Sequence, residues 1–143
     1  MKRGLLLLLA GLALPALALD YRSVTEPAVL YDGPTSKARK LFIVATGTPV
    51  ELVLSQPGWS KVRDGKGDLL WIESRLLSPK RMLMVKVEKA QVRAQADDKA
   101  PLAFEAETNV LLELVEPGPA GWVKVKHRDG QAGFVRASQV WGL

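Results

Sequence analysis

The sequence has no cysteine and a single histidine, His127. Without thiols the chain has no disulfide staples, no thiolate metal site and no cysteine nucleophile. One histidine, no regular spacing of metal-ligating residues and no glycine-rich phosphate loop argue against an enzyme, so no catalytic residue, cofactor or metal is expected. Aromatic side chains are also scarce, with four Trp, three Phe and two Tyr in 143 residues. The excess of positive charge is small. Lysine and arginine number 20 against 15 acidic residues, and two of the basic residues, Lys2 and Arg3, lie at the extreme N-terminus. Setting those two aside leaves 18 against 15, a net charge of +3. That permits weak attraction to anionic polymers but falls short of the charge nucleic-acid binders concentrate on one face.

Long apolar runs are absent apart from one. Lys2 and Arg3 precede the run Leu5 to Leu14, which is followed by Ala16-Leu17-Ala18. This is the pattern of a secretory signal peptide, assigned to residues 1–18, with a small-residue cleavage site. The uncharged segment from Gly4 to Leu19 has 16 residues, fewer than the roughly 20 a helix needs to span a bilayer. The alternative is a retained N-terminal anchor. No cysteine follows the cleavage site to carry a lipid. A periplasmic or secreted protein is therefore expected, with no stable membrane insertion after cleavage and no access to nucleic acid.

The sequence as a whole is 48% hydrophobic and 24% charged, the balance of a folded protein. Beyond residue 20, alternation with a period of two dominates, as in Val50-Glu51-Leu52-Val53-Leu54, Met84-Val85-Lys86-Val87-Glu88 and Trp122-Val123-Lys124-Val125-Lys126. This predicts strands. Turns are predicted at Asp32-Gly33-Pro34, Gln56-Pro57-Gly58, Asp64-Gly65, Glu116 to Pro119 and Asp129-Gly130. Helical character is confined to single turns near Ser74-Arg75-Leu76 and Ala137-Ser138-Gln139. The fold class is all-β.

The strands are duplicated. Gly58 to Leu77 aligns without gaps on Gly121 to Val140, pairing Trp59 with Trp122, Lys61 with Lys124, Val62 with Val125 and Trp71-Ile72 with Phe134-Val135. Upstream, Val50 is matched to Val110 across the longer turn Glu116 to Gly121, and Val29-Leu30-Tyr31 to Gln91-Val92-Arg93. Two copies of a unit of about 60 residues result, placed at residues 20–78 and 82–143 with a boundary at Ser78-Pro79-Lys80-Arg81. Units this small have marginal cores. So short a linker keeps the two together.

The order Gln91-Val92-Arg93, Gly121-Trp122-Val123-Lys124-Val125, Asp129-Gly130, Gly133-Phe134-Val135 and Ala137-Ser138-Gln139-Val140 resembles the bacterial SH3-like family, often called SH3b. The first copy supplies Leu30-Tyr31-Asp32-Gly33-Pro34, Gly47-Thr48-Pro49-Val50, Gly58-Trp59-Ser60-Lys61-Val62 and Leu70-Trp71-Ile72. The resemblance covers nearly all of the sequence after the leader and implies two tandem small SH3-like β-barrels. It departs at Leu70, where the family commonly has glycine, and at Leu76 and Gln139, where an aromatic often closes the last turn. The row of Tyr and Trp that makes a proline-binding groove in other SH3 folds is incomplete in both copies, so polyproline recognition is not implied. In cell-wall hydrolases such modules commonly target a separate catalytic domain, and the two copies leave no stretch of this sequence for one.

Alternation on a strand sets Ser60 and Val62 on one face and Trp59, Lys61 and Arg63 on the other; Val123 and Val125 likewise oppose Trp122, Lys124 and Lys126. A barrel of this size admits small and medium apolar side chains, which points the valines inward. Trp59, Lys61, Trp71, Trp122, Lys124 and Phe134 are therefore the candidate ligand-binding residues. Two readings stand. The tryptophans seal a barrel end or the contact between barrels, with lysine stems packed beside them. Or an indole flanked by ammonium groups stacks on a sugar or peptide while a cation meets a carboxylate. The partners implied by the second are peptidoglycan or an envelope protein or peptide; the first suits a structural or assembly protein of an envelope complex. His127 is expected on an exposed hairpin, Asp97-Asp98 in a solvated loop lacking the further oxygens of a calcium site, and Lys37-Ala38-Arg39-Lys40 in a solvated loop.

Overall fold

The structure, a computed structural model, describes residues 19–143. The leader assigned to residues 1–18 lies outside the described residues. Among the described residues no helix is long and apolar enough to cross a membrane.

The described residues form fourteen strands in two sheets of identical plan. The first sheet contains β1 (Tyr21–Val24), β2 (Ala28–Tyr31), β3 (Lys40–Val44), β4 (Pro49–Gln56), β5 (Trp59–Arg63), β6 (Leu69–Glu73) and β7 (Leu77–Ser78). The second contains β8 (Met82–Val85), β9 (Lys89–Arg93), β10 (Leu102–Glu107), β11 (Leu111–Pro117), β12 (Trp122–Lys126), β13 (Ala132–Arg136) and β14 (Val140–Trp141). Strand order is β3-β2-β6-β5-β4-β1-β7 in the first and β10-β9-β13-β12-β11-β8-β14 in the second. The all-β class and the duplication hold. The ladders do not close: β3 and β7, like β10 and β14, end their sheets unpaired to each other, and β2 meets β6 only at Tyr31 and Trp71. Each module is a strongly curled open sheet wrapped around its own core. Single 3-10 turns occur at Ser74–Leu76 and Ala137–Gln139, as the sequence predicts.

The cores form on the inward face that alternation selects. Leu30, Val50, Val62, Leu70 and Ile72 centre the first, and Leu83, Val92, Leu112, Val125 and Val135 the second. Burying each such side chain contributes about 1.5–3 kcal/mol. Two expectations are corrected. Val50 pairs with Arg22 as Leu112 pairs with Leu83, so the counterpart of Val50 is Leu112, not Val110. The alternation from Met84 to Glu88 is not one strand: β8 stops at Val85 because Lys86 donates its amide to Gln139 and Asn109 donates to the Val85 carbonyl, turning the chain into β9. The recurring glycine before each tryptophan has a backbone cause. Gly58 and Gly121 turn their hairpins at φ 79° and 81°, a region that side chains resist.

The linker Pro79 to Arg81 places the sheets against each other. The Trp141 ring meets Tyr21 edge-on, with centroids 5.4 Å apart and planes at 85°. The Arg81 guanidinium lies 5.4 Å from the Tyr21 ring centre and donates to the Gly142 carbonyl at 2.7 Å. Burial, reinforced by Glu51, pushes the Tyr21 phenol above its ordinary value, with Arg81 opposing. Gly142, at φ 116°, is buried so tightly that a β-carbon there would stand 2.8 Å from the Met82 carbonyl and 3.5 Å from Pro49 of the other module. Met84 and Trp141 pack in the same way on Gly65.

This contact predicts one cooperative thermal transition. Trp141→Ala is expected to remove about 2–3 kcal/mol, less than for a fully enclosed aromatic because the ring keeps some exposure. Calorimetry checks it: the variant should melt lower and in a broader or split transition, and an unchanged melting profile would show that the modules do not lean on each other.

Candidate functional site

The six residues singled out by the sequence fall on the outer faces of two equivalent strand pairs. In the first module Trp59 stands opposite Glu73 and Lys61 opposite Trp71 across β5 and β6. In the second Trp122 stands opposite Arg136 and Lys124 opposite Phe134 across β12 and β13. The predicted alternation is met: Ser60, Val62, Val123 and Val125 are buried, while Trp59, Lys61, Trp71, Lys124 and Phe134 are half-buried. Lys61 sits with its ammonium 6.0 Å from the Trp71 ring centre. Lys124 turns to Glu116 at 3.9 Å. Each set of three stays within its own sheet.

The two tryptophans are treated differently. Trp122 is only 7% exposed. Its cover comes from its own module: the Arg136 guanidinium lies over the indole, 4.4 Å from its centre, and is fixed by the Asp98 carboxylate through both Nε and Nη2. The Asp98 carboxyl is held below its ordinary value, foremost by that hydrogen bond, which outweighs the opposing effect of desolvation, and further by the charges of Arg136 and Arg93. Trp122 is thus the floor of a clamp, not an open platform. Among the described residues no guanidinium or ammonium lies over Trp59 in this way. Its cross-strand neighbour is Glu73, and Glu73 is drawn away to Arg75 at 2.8 Å. Tyr31 supports the indole edge-on, with centroids 5.3 Å apart. The result is a shallow pocket of ≈ 350 Å³ lined by Pro34, Thr35, Ser36, Trp59, Glu73 and Arg75.

Neither tryptophan seals the contact between modules. That role belongs to Tyr21 and Trp141, which carry no sequence signal because Trp141 lies on a two-residue strand with no alternation to read. Glu73 and Arg136 are visible in the sequence as aligned positions of opposite charge, the one signal that could have separated the two tryptophans. Asp98, expected in a solvated loop, is exposed but committed to Arg136. His127 is half-buried on its hairpin, with Nδ1 3.1 Å from the Asp129 carboxylate. Among the described residues no group of three or more His, Asp or Glu side chains converges as a metal site.

Two sheets of one strand order, each with a Gly-Trp hairpin, agree with the match of the bacterial SH3 domain family to residues 24–79 and again to 86–142. The chain belongs to that family. No curated protein is significantly similar to this bacterial SH3 pair. Similar solved structures include NlpC2 from Trichomonas vaginalis, 15% identical over 88% of this chain and 49% of that one, with a TM-score of 0.38. NlpC1 from Trichomonas vaginalis is 14% identical over 90% and 47%, with a TM-score of 0.37. An NlpC/P60 family protein from Bacillus cereus is 14% identical over 85% and 55%, with a TM-score of 0.39. The SH3 pair spans about half the length of these structures.

The clamp over Trp122 gives a pH-dependent expectation. A carboxyl whose folded value is depressed adds stability above its unfolded value and loses it as the pH falls through the folded value. The Asp98–Arg136 pair should therefore persist at neutral pH and open only below the ordinary carboxylate value of 3.8. The Arg136 Nε chemical shift, monitored by NMR during acid titration, should move towards its unpaired value only in that range. In Asp98→Asn this acid step should be absent.

Proposed function

We propose that the chain is an exported, non-catalytic tandem SH3 binding module that recognises a cell-wall ligand, peptidoglycan, or an envelope protein ligand, and that the Trp59 pocket is where recognition occurs. The observation that carries the reading is the partly exposed indole of Trp59 inside a polar rim. An aromatic face of this kind stacks on a sugar ring or peptide plane, and hydroxyls at Thr35 and Ser36 with the Glu73–Arg75 pair offer donors and acceptors around it. Lys61 and Trp71 extend the same face of the sheet. Family membership supports a binding role, and the single histidine is occupied with Asp129. Lys124 and Phe134 belong to the covered copy, where they stand opposite each other and Lys124 turns to Glu116.

A protein ligand is favoured by a second feature of the same module. On the unpaired edge strand β3, Phe42 is 47% and Ile43 77% exposed. An assembly partner in an envelope complex would cover this edge.

Sedimentation with purified peptidoglycan tests the proposal, using the chain from Leu19 onward. Wild type should pellet with the wall. Trp59→Ala should bind about tenfold less or worse, in line with the loss of an aromatic anchor. Trp122→Ala should bind within a few-fold of wild type while melting lower. Absence of wild-type binding would sink the wall reading and leave the β3 edge as the recognition surface.

A further inference from the structure

A second and larger cavity lies where the modules meet. It encloses ≈ 700 Å³ between the β1 end and the 45–47 turn of the first module, the linker, and the β11 and β12–β13 segments of the second. Its size falls in the range of small-molecule sites and is roughly that needed for a few amino-acid residues, well beyond an inorganic ion. Neither module possesses it alone.

The lining divides by chemistry. Met82, Val110 and Leu111, all half-buried, supply an apolar floor. On the rim, the Glu113 carboxylate is 3.6 Å from the Lys80 ammonium and is thereby matched. Lys126 and Arg128, on the other side, have no carboxylate within 4.0 Å among the described residues. The Asp129 carboxylate beside them is taken by His127 and the Gln131 amide, at 3.1 and 2.9 Å. Two cations therefore overlook an apolar floor with no salt-bridge partner among the described residues, Arg128 acting on Asp129 only through its charge. Their charge is complementary to an anion whose body is apolar, and a guanidinium can grip a carboxylate by two parallel hydrogen bonds.

We infer that this cleft binds the free C-terminal carboxylate of a short peptide with small aliphatic side chains, the carboxylate at Lys126 and Arg128 and the side chains on Met82, Val110 and Leu111. The site is independent of the Trp59 pocket. The Tyr21–Trp141 contact and the Arg81 clamp fix the two walls before any ligand arrives, which lowers the ordering cost of binding. A bare anion lacks the apolar contact, and an uncharged peptide lacks the cation contact, so the cleft selects for both features at once.

The experiment is an NMR titration of the purified protein with acetyl-Ala-Ala as the free acid, with its C-terminal amide, and with sodium acetate. The free acid should shift the amides of Thr46, Gly47, Leu111 and Arg128. The amide and acetate should bind at least tenfold more weakly. In Lys126→Gln/Arg128→Gln, two exposed changes that leave the core untouched, affinity for the acid should fall at least tenfold. Lys89→Gln/Lys99→Gln, which removes the same charge elsewhere, should bind as wild type. Equal affinity for acid and amide, equal loss in both double variants, or no shift at the cleft up to millimolar peptide would each overturn the proposal.

Discussion

The edge-on contact between Tyr21 and Trp141, braced by Arg81, is the interaction on which the rest of the molecule depends. Each sheet is near the size at which a single core ceases to be self-sufficient, and neither carries a disulfide. Apolar surface shared across the junction supplies what each module lacks. The aromatic pair joins the first strand of one sheet to the last strand of the other, and the Arg81 guanidinium bridges them from the linker. This fixes where the outer faces point. The Trp59 pocket is left open to solvent, and the walls of the larger cleft are set at a constant separation.

Duplication gave the molecule two copies of one scaffold, and the copies divide structure from recognition. At the position facing the hairpin tryptophan the first module has Glu73 and the second Arg136. A guanidinium is flat, weakly hydrated and attracted to an aromatic face, so it lies down on Trp122 and recruits Asp98. A carboxylate is repelled by the same face and turns to Arg75, leaving Trp59 partly exposed. One charge reversal thus separates a buried anchor from an open platform.

Much of this was legible in the sequence because the signals are local. Alternation around Val62 and Val125 gave the buried face, Gly58 and Gly121 gave the hairpins, and the gapless repeat gave the shared strand plan. The outward face of Trp59 and Lys61 came from the same parity. What escaped depended on contacts distant along the chain. The cover on Trp122 needs a loop residue 24 positions upstream, and the junction needs residues 120 positions apart, Tyr21 and Trp141. No period reports either. The Val50 assignment failed for a related reason: within an alternating strand a shift of two preserves the face, so parity alone could not choose between Val110 and Leu112.

A part-buried hydroxyl pair in the first module shows a further consequence of the duplication. Ser60 and Ser74 are hydrogen-bonded to each other at 2.7 Å. At the aligned positions the second core has Val123 and Ala137. The second copy needs no such bond, since both aligned side chains are apolar. Placing valine at Ser60 alone would take away the partner of the Ser74 hydroxyl, so the two positions are coupled and exchange between copies is least costly when both change together.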